Sequence, residues 1–369
     1  MTPQLSRRAF LISVTGSALA TAAGCRPAGL DIPTPYQPGS TDRPPTATTV
    51  PQPTTILTAT AAPPDPNFGA VTFDKIIVTA ADKLYDTQYN YKKTPTLDAA
   101  TWTLKIDGLV DSPQTLTYAD VMALTAYEEM RTIECIGNPV GGGLIGNIVW
   151  KGFHLEDVLA KVKIKSSATH ARFEAGDGYS TAVKVEYITQ PNVMMAHSFN
   201  GQPLDITHGF PLRIMMPGLY GQKMPRWIQH IEFIDQDYIG YWESNGYSNI
   251  ATVHTNSIIK SPSDGSAVTA GDRVAIQGVA YAAPRKITKV EVQIDQGDWQ
   301  PAQLAPGPTP LAWTQWYLLW TPIAPGSFQI AVRATDETGF VQTHAASGPF
   351  GSHALDGTDA VHVISVSAV

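Results

Sequence analysis

The sequence predicts an α+β domain over residues 70–261, followed over residues 262–369 by an all-β, immunoglobulin-like sandwich. Three observations predict it. Up to Ser261 short strand-like runs mix with helical ones, whereas beyond Pro262 alternating apolar runs recur at near-regular spacing with no helical segment. With 30 Gly and 29 Pro, turns and extended segments dominate over helix. A chain of 369 residues also has room for two domains once a leader is set aside.

In the first domain, Trp102 to Gly108 alternates as a strand running into a turn. Thr117 caps a short helix over residues 117–124, and Leu155 to Val162 forms a second helix. Ala171 to Ala175 and Phe210 to Met216 read as strands. In the second domain the strands are Arg273 to Tyr281, Lys289 to Asp295, Phe328 to Ala334 and His362 to Val366. The third is closed by the turn residues Asp336 to Gly339.

The N-terminal part is expected to stay outside the fold. Ser6-Arg7-Arg8-Ala9-Phe10-Leu11 is a twin-arginine signature ahead of an apolar run to Ala23, too short to span a bilayer well. Export by that route, to the periplasm or the cell surface, is the expectation; a general secretion signal is the alternative. Ala22-Ala23-Gly24-Cys25 is an imperfect lipoprotein box over residues 1–25, so Cys25 would carry a lipid anchor to the membrane, unless cleavage falls near Ala23. Residues 26–69 are rich in Pro and Thr and poor in large apolar side chains, so they read as an extended tether.

A net charge of -7 argues against a nucleic-acid surface, which needs clustered Lys and Arg. Of the two cysteines, Cys25 would be lipidated, leaving Cys135 as an unpaired thiol. By count alone Cys135 could be an inert buried residue. Its context, Thr132-Ile133-Glu134-Cys135-Ile136-Gly137-Asn138, points elsewhere. Three more motifs follow the same logic. One is His208-Gly209-Phe210-Pro211-Leu212-Arg213 with Pro217-Gly218 and Met224-Pro225-Arg226-Trp227; two guanidiniums there suit a phosphate, since each can donate parallel hydrogen bonds. Another is Tyr89-Asn90-Tyr91 ahead of Pro95 and Trp102, and the last is Trp242 to Tyr247.

In these motifs, taken in order, the chain resembles the sulfite oxidase family of molybdopterin enzymes from about Leu84 to Ser261, and the sandwich resembles that family's dimerisation-type second domain. The resemblance implies a molybdenum–molybdopterin cofactor with the Cys135 thiolate as protein ligand to the metal, a soft donor for a soft metal. Gly141-Gly142-Gly143 would let the backbone approach the cofactor. His208, Arg213, Met224, Pro225 and Arg226 fall where the family holds the pterin and its phosphate, as do Tyr89, Asn90 and Tyr91. Asp177 matches a pterin contact. Tyr247 is a catalytic candidate, a hydrogen-bond donor beside the metal; simple packing in the seam between domains is its alternative.

Two departures bear on substrate. Tyr89 and Pro139 stand where sulfite-oxidising relatives carry arginines, and neither Lys92 nor Arg131 occupies a matching position. A dianion such as sulfite needs fixed positive charge beside the metal. The expectation is therefore oxygen-atom transfer on a small substrate other than sulfite. No Cys-x-x-Cys-His heme motif is present, so electrons would pass to an external carrier, a cytochrome or quinone-linked protein. A methionine-sulfoxide-reductase-like activity and a cofactor-free surface binding module are the alternatives. A homodimer through the second domain is also possible.

Overall fold

The structure, a computed structural model, describes residues 75–343 and 355–369. The twin-arginine segment, Cys25 and the Pro/Thr-rich tether lie outside the described residues. Among the described residues no helix is long and apolar enough to cross a membrane.

The first domain is built on two sheets. In one, Thr103–Gly108 buries Leu104 and Ile106 on alternate positions, pairs antiparallel with Gln114–Thr117 and runs parallel to Ile228–Ile234. His170–Ala175 and Ser180–Lys184 complete that sheet. Thr117 caps the helix Tyr118–Met122 through a capping box: its hydroxyl accepts from the Asp120 amide while the Asp120 carboxylate accepts from the Thr117 amide. The second predicted helix is shorter than expected, Leu155–Leu159.

The other sheet carries the thiol. Ala126–Glu134 and Ile145–His154 pair antiparallel from Ala126↔Phe153 to Glu134↔Ile145, leaving residues 135–144 as the connection. Met194–Phe199 lies on the far side of Ile145–His154 and also pairs with Arg213–Met215. The strand expected from Phe210 to Met216 is thus confined to Arg213–Met215; Pro211 has no amide hydrogen to give a ladder.

The second domain packs a four-stranded sheet, Asn256–Ser261, Val274–Tyr281, Thr314–Trp320 and Gln303–Ala305, against a five-stranded one that includes Ile287–Ile294, Gly326–Asp336 and His362–Ala368. Trp316, Ile276, Val292, Ile330 and Val332 fill the space between. This is the sandwich expected. Its first strand is Asn256–Ser261: the sequence places it before the 261/262 boundary, but ladder bonds to Val274–Tyr281 make it part of the sandwich sheet. A further cluster joins the two domains, with Ile136, Ile145 and Tyr220 from the first packed on Val279, Tyr281, Leu311 and Trp313 of the second.

Candidate active site

The cavity that gathers the predicted residues opens where the ends of these elements meet. Cys135, Tyr89, Asp177, Arg213, Met224, Pro225, Arg226 and Tyr247 all line it. Cys135 emerges at the end of its strand, where its amide donates to the Leu144 carbonyl at 2.9 Å and closes the loop. The Gly137 amide and the Thr87 hydroxyl hydrogen-bond toward the sulfur, yet burial outweighs them and pushes the thiol pKa up. A metal ion bound there has to displace that proton, and its charge favours the thiolate.

Arg213 and Arg226 are drawn together by backbone pairing: the Ile214 amide donates to the Pro225 carbonyl and the Ile228 amide to the Leu212 carbonyl. Between them sits Gly209 at φ +114°, where any Cβ would press on the side chains of both arginines. Arg226 donates to the carbonyls of Asp86, Thr87 and Thr207, and Arg213 to that of His208. Neither has a carboxylate partner among the described residues. Burial, reinforced by the neighbouring Arg226, pulls the Arg213 pKa down to about 9. Its buried Nε finds no acceptor, and neither does the buried hydroxyl of Tyr85 on the same cavity wall. A buried cation with a spare donor, Arg213, beside the partly buried Arg226 forms a site for an anion. The donor set, a thiolate candidate beside paired guanidiniums, fits a phosphate-bearing cofactor whose metal takes one sulfur ligand from the chain.

Three expected contacts fall off the cavity. Tyr91 is 60% exposed, because the 3-10 turn Tyr91–Lys93 carries its side chains outward. Asn90 caps that turn, its Oδ1 accepting from the Lys92 amide at 3.1 Å. His208 is buried, but its Nδ1 faces Asp205 at 2.9 Å; it serves through its carbonyl, which holds Arg213. The triple glycine is also placed differently. A Cβ at Gly141 would collide with His362 and one at Gly142 with Asn138, and none of the three lines the cavity.

Other lining residues were not singled out from sequence: Tyr85, Thr87, Gln88, Tyr179 and Gln222. They are scattered through loops and carry no spacing signal. Arg131, weighed as a source of charge, is tied to Glu129 and Tyr127 away from the cavity, and Lys92 is exposed.

The outer wall is aromatic. Tyr89 packs on Tyr179 and Tyr241 with ring centroids 5.8 and 4.8 Å apart, and Trp242 meets Tyr247 edge-on at 5.4 Å. Tyr89 and Tyr179 donate their hydroxyls to the carbonyls of Asp177 and Gln222, both at 2.7 Å. Behind this wall Lys223 is fully buried and donates to Glu243 at 2.6 Å, to the Thr181 hydroxyl, the Ala182 carbonyl and Asn249. The pair ties the 221–226 segment to the helix Tyr241–Ser244. Lys223→Met is expected to cost about 3–5 kcal/mol, because it leaves Glu243 buried and uncompensated. Urea unfolding of that variant beside Lys223→Met/Glu243→Leu checks it: the double change should recover most of the loss, and equal losses would refute the pairing.

Comparison with known proteins gives the family. Residues 91–242 match the family model for the oxidoreductase molybdopterin binding domain, and residues 247–348 match the Mo-co oxidoreductase dimerisation domain. An uncharacterised oxidoreductase of Bacillus subtilis, YuiH, is 35% identical over 150 residues, covering 41% of this chain and 74% of that protein. The mitochondrial sulfite oxidase of Macaca fascicularis is 28% identical over 58% of this chain and 47% of its own length. The nitrate reductase [NAD(P)H] of Hordeum vulgare is 27% identical over 67% of this chain and 35% of its own. The chain therefore spans about half or less of these last two relatives. The fold is shared with the sulfane dehydrogenase SoxCD from Paracoccus pantotrophus, at a TM-score of 0.63 and 22% identity over 73% of this chain and 76% of that one. With a thiol, two anion-seeking arginines and both domains in place, the chain belongs to the sulfite oxidase family of molybdopterin oxidoreductases, whose cofactor is molybdenum–molybdopterin.

Proposed function

We propose that this oxidoreductase is exported and transfers an oxygen atom to or from a small substrate other than sulfite, exchanging electrons with an external carrier. The observation that carries the reading is the aromatic outer wall of the cavity. Tyr89, Tyr179, Trp242 and Tyr247 line it, and among the described residues the only cationic side chains on the lining are Arg213 and Arg226 of the anion site. Lys93 sits over the Tyr89 ring at 5.9 Å without lining the cavity, and Lys223 is sequestered by Glu243. Such a wall accepts an uncharged, polarisable group and gives a dianion no partner.

When bound, the cofactor supplies the redox and oxygen-atom chemistry. Cys135 would hold its metal, and Arg213 and Arg226 its phosphate. Tyr247, whose hydroxyl is held protonated by burial and by its proximity to Cys135, would donate a hydrogen bond to substrate. The twin-arginine signature and Cys25 support export and a lipid tether, and the second domain's family supports a homodimer.

The test uses an artificial electron mediator with the cofactor-loaded protein. Reduction of dimethyl sulfoxide or methionine sulfoxide, or oxidation of the corresponding thioether, is expected to outrun sulfite oxidation. Saturable sulfite oxidation at low substrate concentration, with no turnover of the uncharged compounds, would contradict the reading.

A further inference from the structure

The carboxylate of Glu134, the residue before Cys135, is buried and makes contacts in two domains. Its Oε1 accepts from the Asn138 amide at 2.9 Å, within the Cys135 loop. Its Oε2 accepts from the Asn256 amide at 2.9 Å, in the first strand of the sandwich. Asn138, whose side-chain Nδ2 is the donor to Glu134, in turn closes the loop: its Oδ1 accepts from the Leu144 backbone amide at 2.8 Å and its own backbone amide donates to the Cys135 carbonyl at 2.9 Å. Glu134 and Asn138 are each 4% exposed and Asn256 6%, so water does not compete for these bonds.

The same strand is gripped elsewhere by the sandwich. The Thr132 amide donates to the Leu311 carbonyl at 2.8 Å, the Trp313 amide donates to the Thr132 hydroxyl at 2.9 Å, and the Tyr281 hydroxyl donates to the Thr132 carbonyl at 3.0 Å. On the far side of the loop, His362 of the last sandwich strand is fixed by the Ile259 amide and seated against Gly141. That contact explains the glycine: the backbone there is approached by a histidine ring of the second domain.

We propose that Glu134 is a positioning residue for Cys135, tying the thiol-bearing loop to the sandwich through Asn138 and Asn256. The second domain thereby sets the geometry of the metal ligand, a role separate from dimerisation. A loop of ten residues between two strands has many accessible conformations, and a ligand on it is held only as well as its supports are held. Here the supports come from both domains.

The proposal rests on Cys135 being the metal ligand, and the test separates the two. Asn256→Ala lies outside the cavity and leaves Glu134 in place, and Glu134→Gln keeps the volume with one acceptor oxygen. In full-length, cofactor-loaded protein, amide hydrogen exchange is followed over residues 136–144 and over Val274–Tyr281. In parallel, the Mo(V) electron paramagnetic resonance spectrum is recorded. Asn256→Ala is expected to speed exchange of the loop amides about tenfold, the effect of losing one buried hydrogen bond. Exchange in Val274–Tyr281 should hold, and the Mo(V) g-values should shift. Glu134→Gln should show the same changes in smaller degree. Loop exchange and g-values both equal to those of the parent would overturn the clamp. A parent whose Mo(V) spectrum is unchanged by Cys135→Ser would instead overturn the ligand assignment, while the exchange result still decides the clamp.

Discussion

Arg213→Met is expected to strip the protein of molybdopterin without weakening the cofactor-free fold. Arg213 is 4% exposed, donates only to the His208 carbonyl and leaves its Nε unpaired. Burial has already pulled its pKa down to about 9. A cation in that state is a cost to the fold and a benefit to a bound anion. Each charge-assisted contact to a phosphate contributes about 1.5–3 kcal/mol, so occupancy at limiting cofactor should fall by about ten- to a hundredfold. Methionine keeps most of the volume packed on Trp150, where the guanidinium now lies 5.1 Å from the ring centroid. The thermal midpoint of cofactor-free protein should therefore hold or rise. Released pterin, quantified by fluorescence after oxidation, and thermal melts check both halves. Unchanged pterin content would place the phosphate elsewhere.

Cys135→Ser should abolish turnover while the fold survives. Serine is close in size, and the sulfur's packing contributes on the order of 1 kcal/mol at a half-buried position. A hydroxyl, by contrast, is a hard donor that keeps its proton far above neutral pH and cannot replace a thiolate toward a soft metal. The loss should exceed the about 10–100-fold drop typical when only an outer-sphere partner of a metal ligand is removed. Mediator-coupled turnover and circular dichroism on one preparation decide it; substantial residual activity in a folded variant would remove Cys135 from the metal.

How much of this was legible in the sequence depends on what each residue's role leaves behind in the chain. Thr314–Trp320, buried at four successive positions, gives no alternating signal and was not read as a strand, whereas sandwich strands such as Lys289 to Asp295 declared themselves by period-two alternation. The strand Ala126–Glu134 did not. It reads as polar, yet its end is buried on both faces, with Arg131 paired to Glu129, Thr132 to Asn147 and Glu134 to Asn138 and Asn256. Burial of polar side chains satisfied by hydrogen bonds to one another leaves no periodic apolar signal.

The site divides the same way. Cys135, Arg213 and Arg226 sat in motifs, and all three line the cavity. Tyr85 and Tyr179 act by position alone, as cavity walls set by loops that converge only in three dimensions. Asn90 and Tyr91 lay in a motif yet turned outward or into a cap, since a motif fixes the backbone path more firmly than the direction of each side chain. The three glycines beside Cys135, expected to let the backbone approach the cofactor, lie off the cavity: Gly141 meets His362, Gly142 meets Asn138 and Gly143 faces open space.

The most direct test of the central claim, that this chain holds molybdenum through Cys135, is molybdenum K-edge X-ray absorption on protein produced from the full 369-residue chain with a full cofactor supply. Molybdenum stoichiometric with the chain is expected, with one sulfur scatterer fewer in Cys135→Ser than in the parent. Protein that carries no molybdenum under those conditions, or an identical sulfur shell in the two samples, would contradict it.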